Sequence, residues 1–232
     1  MDPLEGLLRS NDEHVASLDV GHFDAVREVQ RPSVASISCS DSRVPTEGIW
    51  SARSNGDLFT GSNVGNQVWA DVDGDRVVND TVGYAVSSLG VGFVAVVGHT
   101  GCGAISAAYD AVFDADAEDH GAPAVHAAVE RLVPIVEAAR ENGIVTADTP
   151  RPAGINRLAE RAVREQAAFL HADPGVPPGV TVAGFVYDFQ RAYGGADGTA
   201  YLVALDGETD PDRLRERLDP ALHAHVGTLL SD

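Results

Sequence analysis

Two short segments of the chain carry residue types that bind transition metals. Residues 39–43 read CSDSR and residues 98–102 read GHTGC, and Cys39 and Cys102 are the only cysteines in the sequence. Two thiolates and the imidazole of His99 are the soft sulfur and nitrogen ligands that zinc favours, and a catalytic zinc site keeps one further position open. The two segments therefore predict a zinc site made of Cys39, His99 and Cys102.

The residues alone leave other interpretations of the cysteines open. A single buried cysteine commonly serves as a small hydrophobic side chain. A redox pair is the other alternative, but the sequence has no C-x-x-C motif. What favours a metal is that both cysteines fall just after predicted strands, with a histidine three residues from one of them.

Asp41 and Arg43 lie beside the first cysteine. Asp41 could bind the metal or accept a proton, and Arg43 could hold a carboxylate through two parallel hydrogen bonds. The alternative is a surface ion pair of little energetic consequence. The position of both residues next to Cys39 favours a role in the site.

Strands are predicted immediately before both segments. Ser33–Ser38 is a short β-branched run after a proline, and Gly92–Gly98 is a continuous apolar run of the kind found inside parallel sheets. In open α/β sheets, ligands bind beyond the carboxyl ends of the strands, where the strand order switches. The two segments are therefore expected to meet, although Arg43 and Gly98 are 55 positions apart in the sequence.

The remaining patterns predict a single α/β domain with a mainly parallel central sheet flanked by helices. Further strands are predicted at Asp57–Asn63, Val180–Tyr187 and, as an edge strand, Tyr201–Leu205. Helices are predicted at Asp12–Val29, Asp75–Leu89, Ala104–Val112, Pro123–Glu141, Ile155–His171 and Pro211–Leu230.

The charge of the chain limits its partners. It has 35 acidic and 16 basic residues, no lysine, and a formal net charge of −19. This charge repels nucleic acids and anionic membranes, so neither is expected as a partner. The chain also repels itself, and at about 1 M salt, where the Debye length is about 3 Å, that repulsion is screened. The composition predicts a halophilic protein from a saline cytoplasm, the alternative being an ordinary acidic protein.

The sequence also bears on the compartment. No apolar run approaches the roughly 20 residues that a membrane-spanning helix needs, and the first ten residues do not resemble a secretory signal. We therefore expect a soluble, cytoplasmic protein. A disulfide is disfavoured in a reducing cytoplasm, which again favours metal binding by the two cysteines.

Taken together, C-x-D-x-R at 39–43 and H-x-x-C at 99–102 resemble the paired signatures of the β-class carbonic anhydrases. Four further segments resemble other landmarks of that family: DLFTGSNVGN at 57–66, YAVSSL at 84–89, INRLAERAVREQ at 155–166 and GFVYD at 184–188. The resemblance implies one Zn²⁺ per subunit, held by Cys39, His99 and Cys102. It also implies reversible hydration of carbon dioxide to bicarbonate and a proton by zinc-bound hydroxide.

The resemblance assigns roles to five more residues. Asp41 and Arg43 match the catalytic dyad of the family: Arg43 holds Asp41 off the metal in the active form, whereas Asp41 itself binds zinc in an inactive form. Gln30 matches a glutamine that hydrogen-bonds the substrate. Phe59 and Tyr84 match aromatic residues that line the substrate pocket.

The resemblance also implies an assembly, because in the family these pocket residues come partly from a second subunit. A homodimer or a dimer of dimers is therefore expected. Residues 1–32 would form an N-terminal helical arm that wraps the partner, and residues 33–232 the α/β zinc-binding catalytic domain. Two other functions stay open, namely hydrolysis of carbonyl sulfide or carbon disulfide on the same scaffold, and a non-enzymatic zinc-stabilised binding or sensing protein.

Overall fold

The structure is a computed structural model that describes residues 2–51, 56–114 and 121–230. Its strands are β1 (Val34–Cys39), β2 (Leu58–Asn63), β3 (Trp69–Val72), β4 (Asp75–Val78), β5 (Phe93–His99), β6 (Thr181–Asp188) and β7 (Thr199–Leu205). Its helices are α1 (Pro3–Ser17), α2 (Thr46–Ile49), α3 (Asp80–Ser87), α4 (Gly103–Phe113), α5 (Pro123–Glu130), α6 (Val133–Glu141), α7 (Arg151–Ala172) and α8 (Pro211–Glu216), followed by a 3₁₀ helix at Pro220–His225.

The central sheet has five strands in the order β2-β1-β5-β6-β7. All neighbouring pairs are parallel except β6 and β7, which are antiparallel at the edge. The prediction of a mainly parallel α/β sheet is therefore confirmed. The chain leaves β1 for β2 on one side and reaches β5 on the other, so the strand order switches between β1 and β5. This is where the ends of the two predicted metal-binding segments meet.

The core lies between the sheet and the helices. The strands β1 and β5 are almost entirely buried, and α7 packs against β5, β6 and β7. Eleven residues of α7 are buried, which fits its long amphipathic pattern. Within the described ranges, no helix combines the length and the apolar character that a membrane span requires.

The helix predicted at Asp75–Leu89 is wrong in its first part. Residues Asp75–Val78 form β4, which pairs with β3 in an antiparallel hairpin, and helix α3 begins only at Asp80. Asp73 and Gly74 join the two strands with φ values of +53° and +91°. An Asp-Gly pair with two positive φ angles is the preferred two-residue hairpin turn, and this signal outweighs the helical spacing of the valines.

Two predicted helices are each divided by a proline. Pro123–Glu141 is divided into α5 and α6, and Pro211–Leu230 into α8 and the 3₁₀ helix. Pro134 cannot donate to the carbonyl of Glu130, the last residue of α5. Pro220 likewise cannot donate to the carbonyl of Glu216, the last residue of α8.

The N-terminal helix lies earlier than the predicted Asp12–Val29. Helix α1 begins after Asp2, whose side chain caps it by accepting from the N–H of Leu4 at 2.8 Å, with Pro3 in its first turn. It ends at Ser17, and the following residues form turns that include Gly21 at a φ of +82°. The aspartate–proline start fixes the true beginning of the helix.

Candidate metal centre

The three predicted ligands lie together at the carboxyl edge of the sheet. Cys39 is the last residue of β1, His99 is the last residue of β5, and Cys102 is the N-cap residue of α4. Their ligand atoms all lie within 4.8 Å of one another, and all three residues are buried. Over the parts of the chain that the structure describes, this is the one group of three or more His, Cys, Asp and Glu side chains close enough to hold a metal ion.

The geometry fits zinc. The sulfur atoms of Cys39 and Cys102 are 3.9 Å apart, and two sulfurs on a tetrahedral zinc, each about 2.3 Å from the ion, stand about 3.8 Å apart. The Nδ1 atom of His99 lies 2.9 Å from the carbonyl oxygen of Thr100 and donates to it, which leaves the lone pair on Nε2. That buried Nε2 has no hydrogen-bond partner among the described residues. A metal ion would be its partner, as is usual for a ligating histidine whose other nitrogen bonds a carbonyl.

The pKa values of the two cysteines move in opposite directions. A hydrogen bond from the Cys102 thiol, together with the nearby His99 ring, holds the pKa of Cys39 well below its ordinary value despite burial. The same bond and burial raise the pKa of Cys102. Burial lowers the pKa of His99, but the neighbouring Cys39 thiolate outweighs this effect, and the net shift is upward. The cluster thus favours a thiolate, the form in which cysteine binds a metal.

Asp41 and Arg43 form a two-bond ion pair beside the cluster. Arg43 donates from Nε to Oδ1 of Asp41 at 2.8 Å and from Nη2 to Oδ2 at 2.7 Å. These bonds, outweighing partial burial, hold the pKa of Asp41 far below its usual range, so Asp41 is ionised at neutral pH. Its Oδ2 lies 3.7 Å from Nε2 of His99, which puts the carboxylate at the border of the ligand cluster.

A buried aspartate, which the sequence analysis did not single out as a site residue, supports the loop between His99 and Cys102. Asp188, the last residue of β6, is fully buried. Its carboxylate accepts hydrogen bonds from the hydroxyl of Thr100 at 3.1 Å and from the backbone N–H groups of Gln190 and Tyr193, each at 2.9 Å. The ends of β5 and β6 are therefore tied together directly beneath the metal ligands.

Gly101 links this loop to the ion pair. Its φ of +64° is a left-handed conformation that favours glycine, and a Cβ atom there would lie 2.5 Å from Nε2 of Gln190. The side-chain oxygen of Asn156 accepts from its N–H at 2.8 Å, and its carbonyl accepts from Nη2 of Arg43 at 3.2 Å. The backbone of one residue thus connects helix α7 to Arg43.

Phe189 is another residue near the site that the sequence analysis missed. Its ring stacks on that of His99, with centroids 5.7 Å apart and planes at 25°. It directly follows β6 (Thr181–Asp188), which was predicted as a strand at Val180–Tyr187. The rule that selected the first two segments, namely that residues beyond a parallel strand's carboxyl end line the site, would also have selected residues 188–190.

The three residues predicted to line the substrate pocket, Gln30, Phe59 and Tyr84, are not part of the cluster of metal ligands. The rings of Phe59 and Tyr84 contact each other, with centroids 6.1 Å apart. Phe59 pairs with Ala35, four residues before Cys39, which corresponds to about 13 Å along the strand at about 3.3 Å per residue. Gln30 is exposed in the segment between α1 and β1. The strand register therefore separates Phe59 from the metal ligands of its own chain.

The fold and the ligand set define an α/β zinc-binding protein. The sequence profile of the carbonic anhydrase family matches residues 34–193. A carbonic anhydrase of Pseudomonas aeruginosa is 32% identical over 218 residues, which cover 89% of this chain and 87% of the relative. The chain therefore belongs to the carbonic anhydrase family, in its β class.

Solved structures agree on the fold. The β-carbonic anhydrase CafA of Aspergillus fumigatus has a TM-score of 0.68 at 24% identity, and the match covers 94% of this chain and 97% of CafA. One of two tetrameric β-carbonic anhydrases of Sordaria macrospora has a TM-score of 0.65 at 23% identity, covering 81% of this chain and 93% of that chain.

Proposed function

We propose that this chain catalyses the reversible hydration of carbon dioxide to bicarbonate and a proton, with Zn²⁺ held by Cys39, His99 and Cys102. The observation that carries the proposal is the buried Nε2 of His99, which has no hydrogen-bond partner among the described residues. It lies in a cluster with two buried cysteines, beside an ionised aspartate. When bound, zinc lowers the pKa of a coordinated water from about 15.7 to about 7, so that hydroxide is accessible near neutral pH. Membership of the carbonic anhydrase family supports the same reaction.

Asp41 and Arg43 act together in this proposal. An ionised carboxylate only accepts hydrogen bonds, so Asp41 accepts one from the attacking water and directs an oxygen lone pair at the carbon of carbon dioxide. Arg43 fixes Asp41 through the two parallel hydrogen bonds described above. The 3.7 Å between Asp41 Oδ2 and His99 Nε2 also makes the competing, inactive arrangement accessible, in which Asp41 itself approaches the metal.

The substrate pocket is proposed to form between two copies of the chain. Phe59 and Tyr84 would give it an apolar wall suited to an uncharged gas, and Gln30 would donate a hydrogen bond to an oxygen of carbon dioxide or bicarbonate. The separation of Phe59 from the ligands of its own chain supports a contribution from a partner. So does Tyr84, a large aromatic side chain that is 48% exposed in the single chain.

Residues 1–32 are proposed to be the arm that holds the partner, a second copy of this chain, while residues 33–232 form the catalytic domain. Helix α1 has no buried residue. Its exposed Leu4, Leu8 and Val15 lie on one face at helical spacing, and such an apolar stripe needs another surface to cover it. The tetrameric assembly of the Sordaria proteins supports a dimer of dimers as the larger alternative.

The acidic surface is proposed to be an adaptation to a saline cytoplasm. The net charge of −19 and the absence of lysine support this. Unfolding by denaturant should therefore give a free energy of unfolding that rises between dilute buffer and about 1 M KCl, because salt shortens the Debye length to about 3 Å. Equal stability in both buffers would contradict the adaptation and leave an ordinary acidic enzyme.

The catalytic proposal is tested by stopped-flow measurement of carbon dioxide hydration by the zinc-loaded protein in about 1 M KCl. Acceleration that depends on zinc is expected, and Asp41→Asn should lower kcat while zinc content is unchanged. Parallel assays with carbonyl sulfide and carbon disulfide test the alternative that the chain hydrolyses one of these compounds instead. Full zinc binding without acceleration of any of the three reactions would instead support a non-enzymatic zinc protein.

A further inference from the structure

Phe189 contacts both the metal-binding histidine and the arginine of the ion pair. Its ring stacks on His99, and Cζ of Arg43 lies 4.5 Å from the centre of the ring. The geometry is that of a guanidinium above an aromatic face, which is attracted by the quadrupole of the ring. One side chain therefore touches the two groups whose relative position decides where Asp41 lies.

The ring of Phe189 is itself held in place by the metal-binding loop. Its backbone N–H donates to the hydroxyl of Thr100 at 3.2 Å, and that hydroxyl donates to the buried carboxylate of Asp188. Thr100 directly follows His99 in the GHTGC segment. The position of the ring is thus coupled to that of the histidine.

Arg43 needs such a support. Its side chain is 51% exposed, and exposed ion pairs are weak and mobile when nothing else holds them. Among the described residues it contacts the carboxylate of Asp41 through two parallel hydrogen bonds, the carbonyl of Gly101 and the face of Phe189. Of these, the Gly101 carbonyl is fixed through Asn156, whose side-chain nitrogen donates to Gln190 at 3.1 Å.

We propose that Phe189 is a positioning residue. Its ring face keeps the Arg43 guanidinium in its two parallel hydrogen bonds to Asp41 and so keeps Asp41 away from the metal. The proposal rests on the function proposed above for the Asp41–Arg43 pair. Loss of the ring face should shift the balance between the free and metal-bound positions of Asp41 by about two- to fivefold, as expected for a partly exposed cation–π contact.

The test compares Phe189→Leu and Phe189→Tyr in the cobalt-substituted protein. Leucine keeps apolar bulk without a π face, whereas tyrosine keeps the face. The visible absorption of bound cobalt(II) reports whether a carboxylate joins its ligands, independently of turnover. We expect Phe189→Leu to bind one cobalt per chain, to show more carboxylate ligation and to lose up to about fivefold in kcat. Phe189→Tyr should match the unsubstituted protein in both the spectrum and kcat. Phe189→Met serves as a second ring-free variant should the leucine variant fold poorly.

Two controls make the test specific. Phe113→Leu removes a ring that lies 5.9 Å from Cζ of Arg140, away from the metal ligands, and should change neither signal. In an Asp41→Asn background, Phe189→Leu should have no further spectral effect, because it acts through the carboxylate. An unchanged spectrum in Phe189→Leu, or an equal change in both backgrounds, would overturn the proposal. A cobalt spectrum that responds in a protein inactive toward carbon dioxide would instead contradict only the proposed function.

Discussion

At the carboxyl edge of the sheet, Cys39, His99 and Cys102 are buried among groups of the same chain, whereas helix α1 at the N-terminus has no buried residue. The edge holds its ligands through hydrogen bonds that connect β5, β6 and α7. Helix α1 instead presents an apolar face to solvent. The metal cluster is complete within a single chain, whereas helix α1 leaves its apolar face uncovered in the single chain.

This difference separates metal binding from substrate binding. A single chain supplies the three ligands and the Asp41–Arg43 pair, so we expect zinc affinity to be a property of the monomer. The proposed pocket residues Phe59 and Tyr84 contact each other, and the strand register separates Phe59 from the ligands of its own chain, so we expect turnover to require a second copy. Variants of the edge and of the arm should therefore fail in different ways.

The largest effect is expected from Cys102→Ser. A hydroxyl is a much poorer zinc ligand than a thiolate, and two protein ligands remain where a catalytic site has three. Zinc content should fall to near zero and hydration to the uncatalysed rate, as measured by elemental analysis and stopped flow. Ser106→Ala is the matched control, since among the described residues its hydroxyl donates only to the carbonyl of Cys102 four residues earlier. A Cys102→Ser protein with full zinc and full activity would refute the site.

A smaller loss, of a different kind, is expected from Leu8→Glu in the arm. A charge on the apolar face of α1 should prevent its burial against a second copy, and turnover should fall by about 100-fold as substrate-positioning groups are lost. Zinc content should remain at one per chain. Sedimentation should show a monomer.

The control for this variant places the same charge on the same helix. Ser10→Glu lies about 200° around α1 from Leu8, on the polar face, and should leave assembly and activity unchanged. If Leu8→Glu remains a fully active dimer or tetramer, the arm does not hold the partner. If Leu8→Glu is a fully active monomer, the substrate pocket does not need a second copy of the chain.

The C-terminal segment sharpens the comparison, because it is a chain end that the domain does hold. Glu160 is fully buried in α7 and accepts hydrogen bonds from Tyr193 at 2.8 Å, Thr228 at 2.7 Å and the N–H of Leu229 at 2.6 Å. Arg164 lies 2.7 Å from the same carboxylate. Burial of Tyr193 and the charge of Glu160 raise the pKa of the tyrosine, so it remains a donor.

Glu160→Gln should therefore lower the free energy of unfolding by about 2 kcal/mol, because hydrogen bonds to a buried charge become bonds to a neutral amide. Arg164 also loses its charged partner and keeps its hydrogen bond to the hydroxyl of Thr228. Denaturant unfolding measures this loss. Glu165→Gln removes a partly exposed partner of Arg161 on the same helix and should cost less than about 1 kcal/mol. Equal losses in the two variants would show that the C-terminal segment is not held by Glu160.

Strands and the metal ligands were predictable because both follow simple rules. Apolar, β-branched runs identify buried strands, and residues just beyond parallel strands meet at one edge. The hairpin of β3 and β4 was missed because valine spacing was weighed above an Asp-Gly turn. The two divided helices were predicted as continuous because each contains a proline whose missing hydrogen bond to the carbonyl four residues earlier was overlooked.

The surroundings of the ligands were harder to predict. Asn156 reaches Gly101 across 55 positions of sequence, and nothing in the local pattern around either residue indicates this contact. Phe189 could have been found, since it follows β6 as Ser40 follows β1. In the proposed mechanism, whether Asp41 contacts the metal depends on several weak contacts to Arg43, which no spacing rule captures.

The most direct test of the account is a zinc titration of the metal-free protein, followed by stopped-flow measurement of carbon dioxide hydration. Because one cluster of three ligands holds the catalytic ion, activity should rise linearly with added zinc and reach its plateau at one zinc per chain. Activity in the metal-free protein, or a plateau at any other ratio, would contradict it.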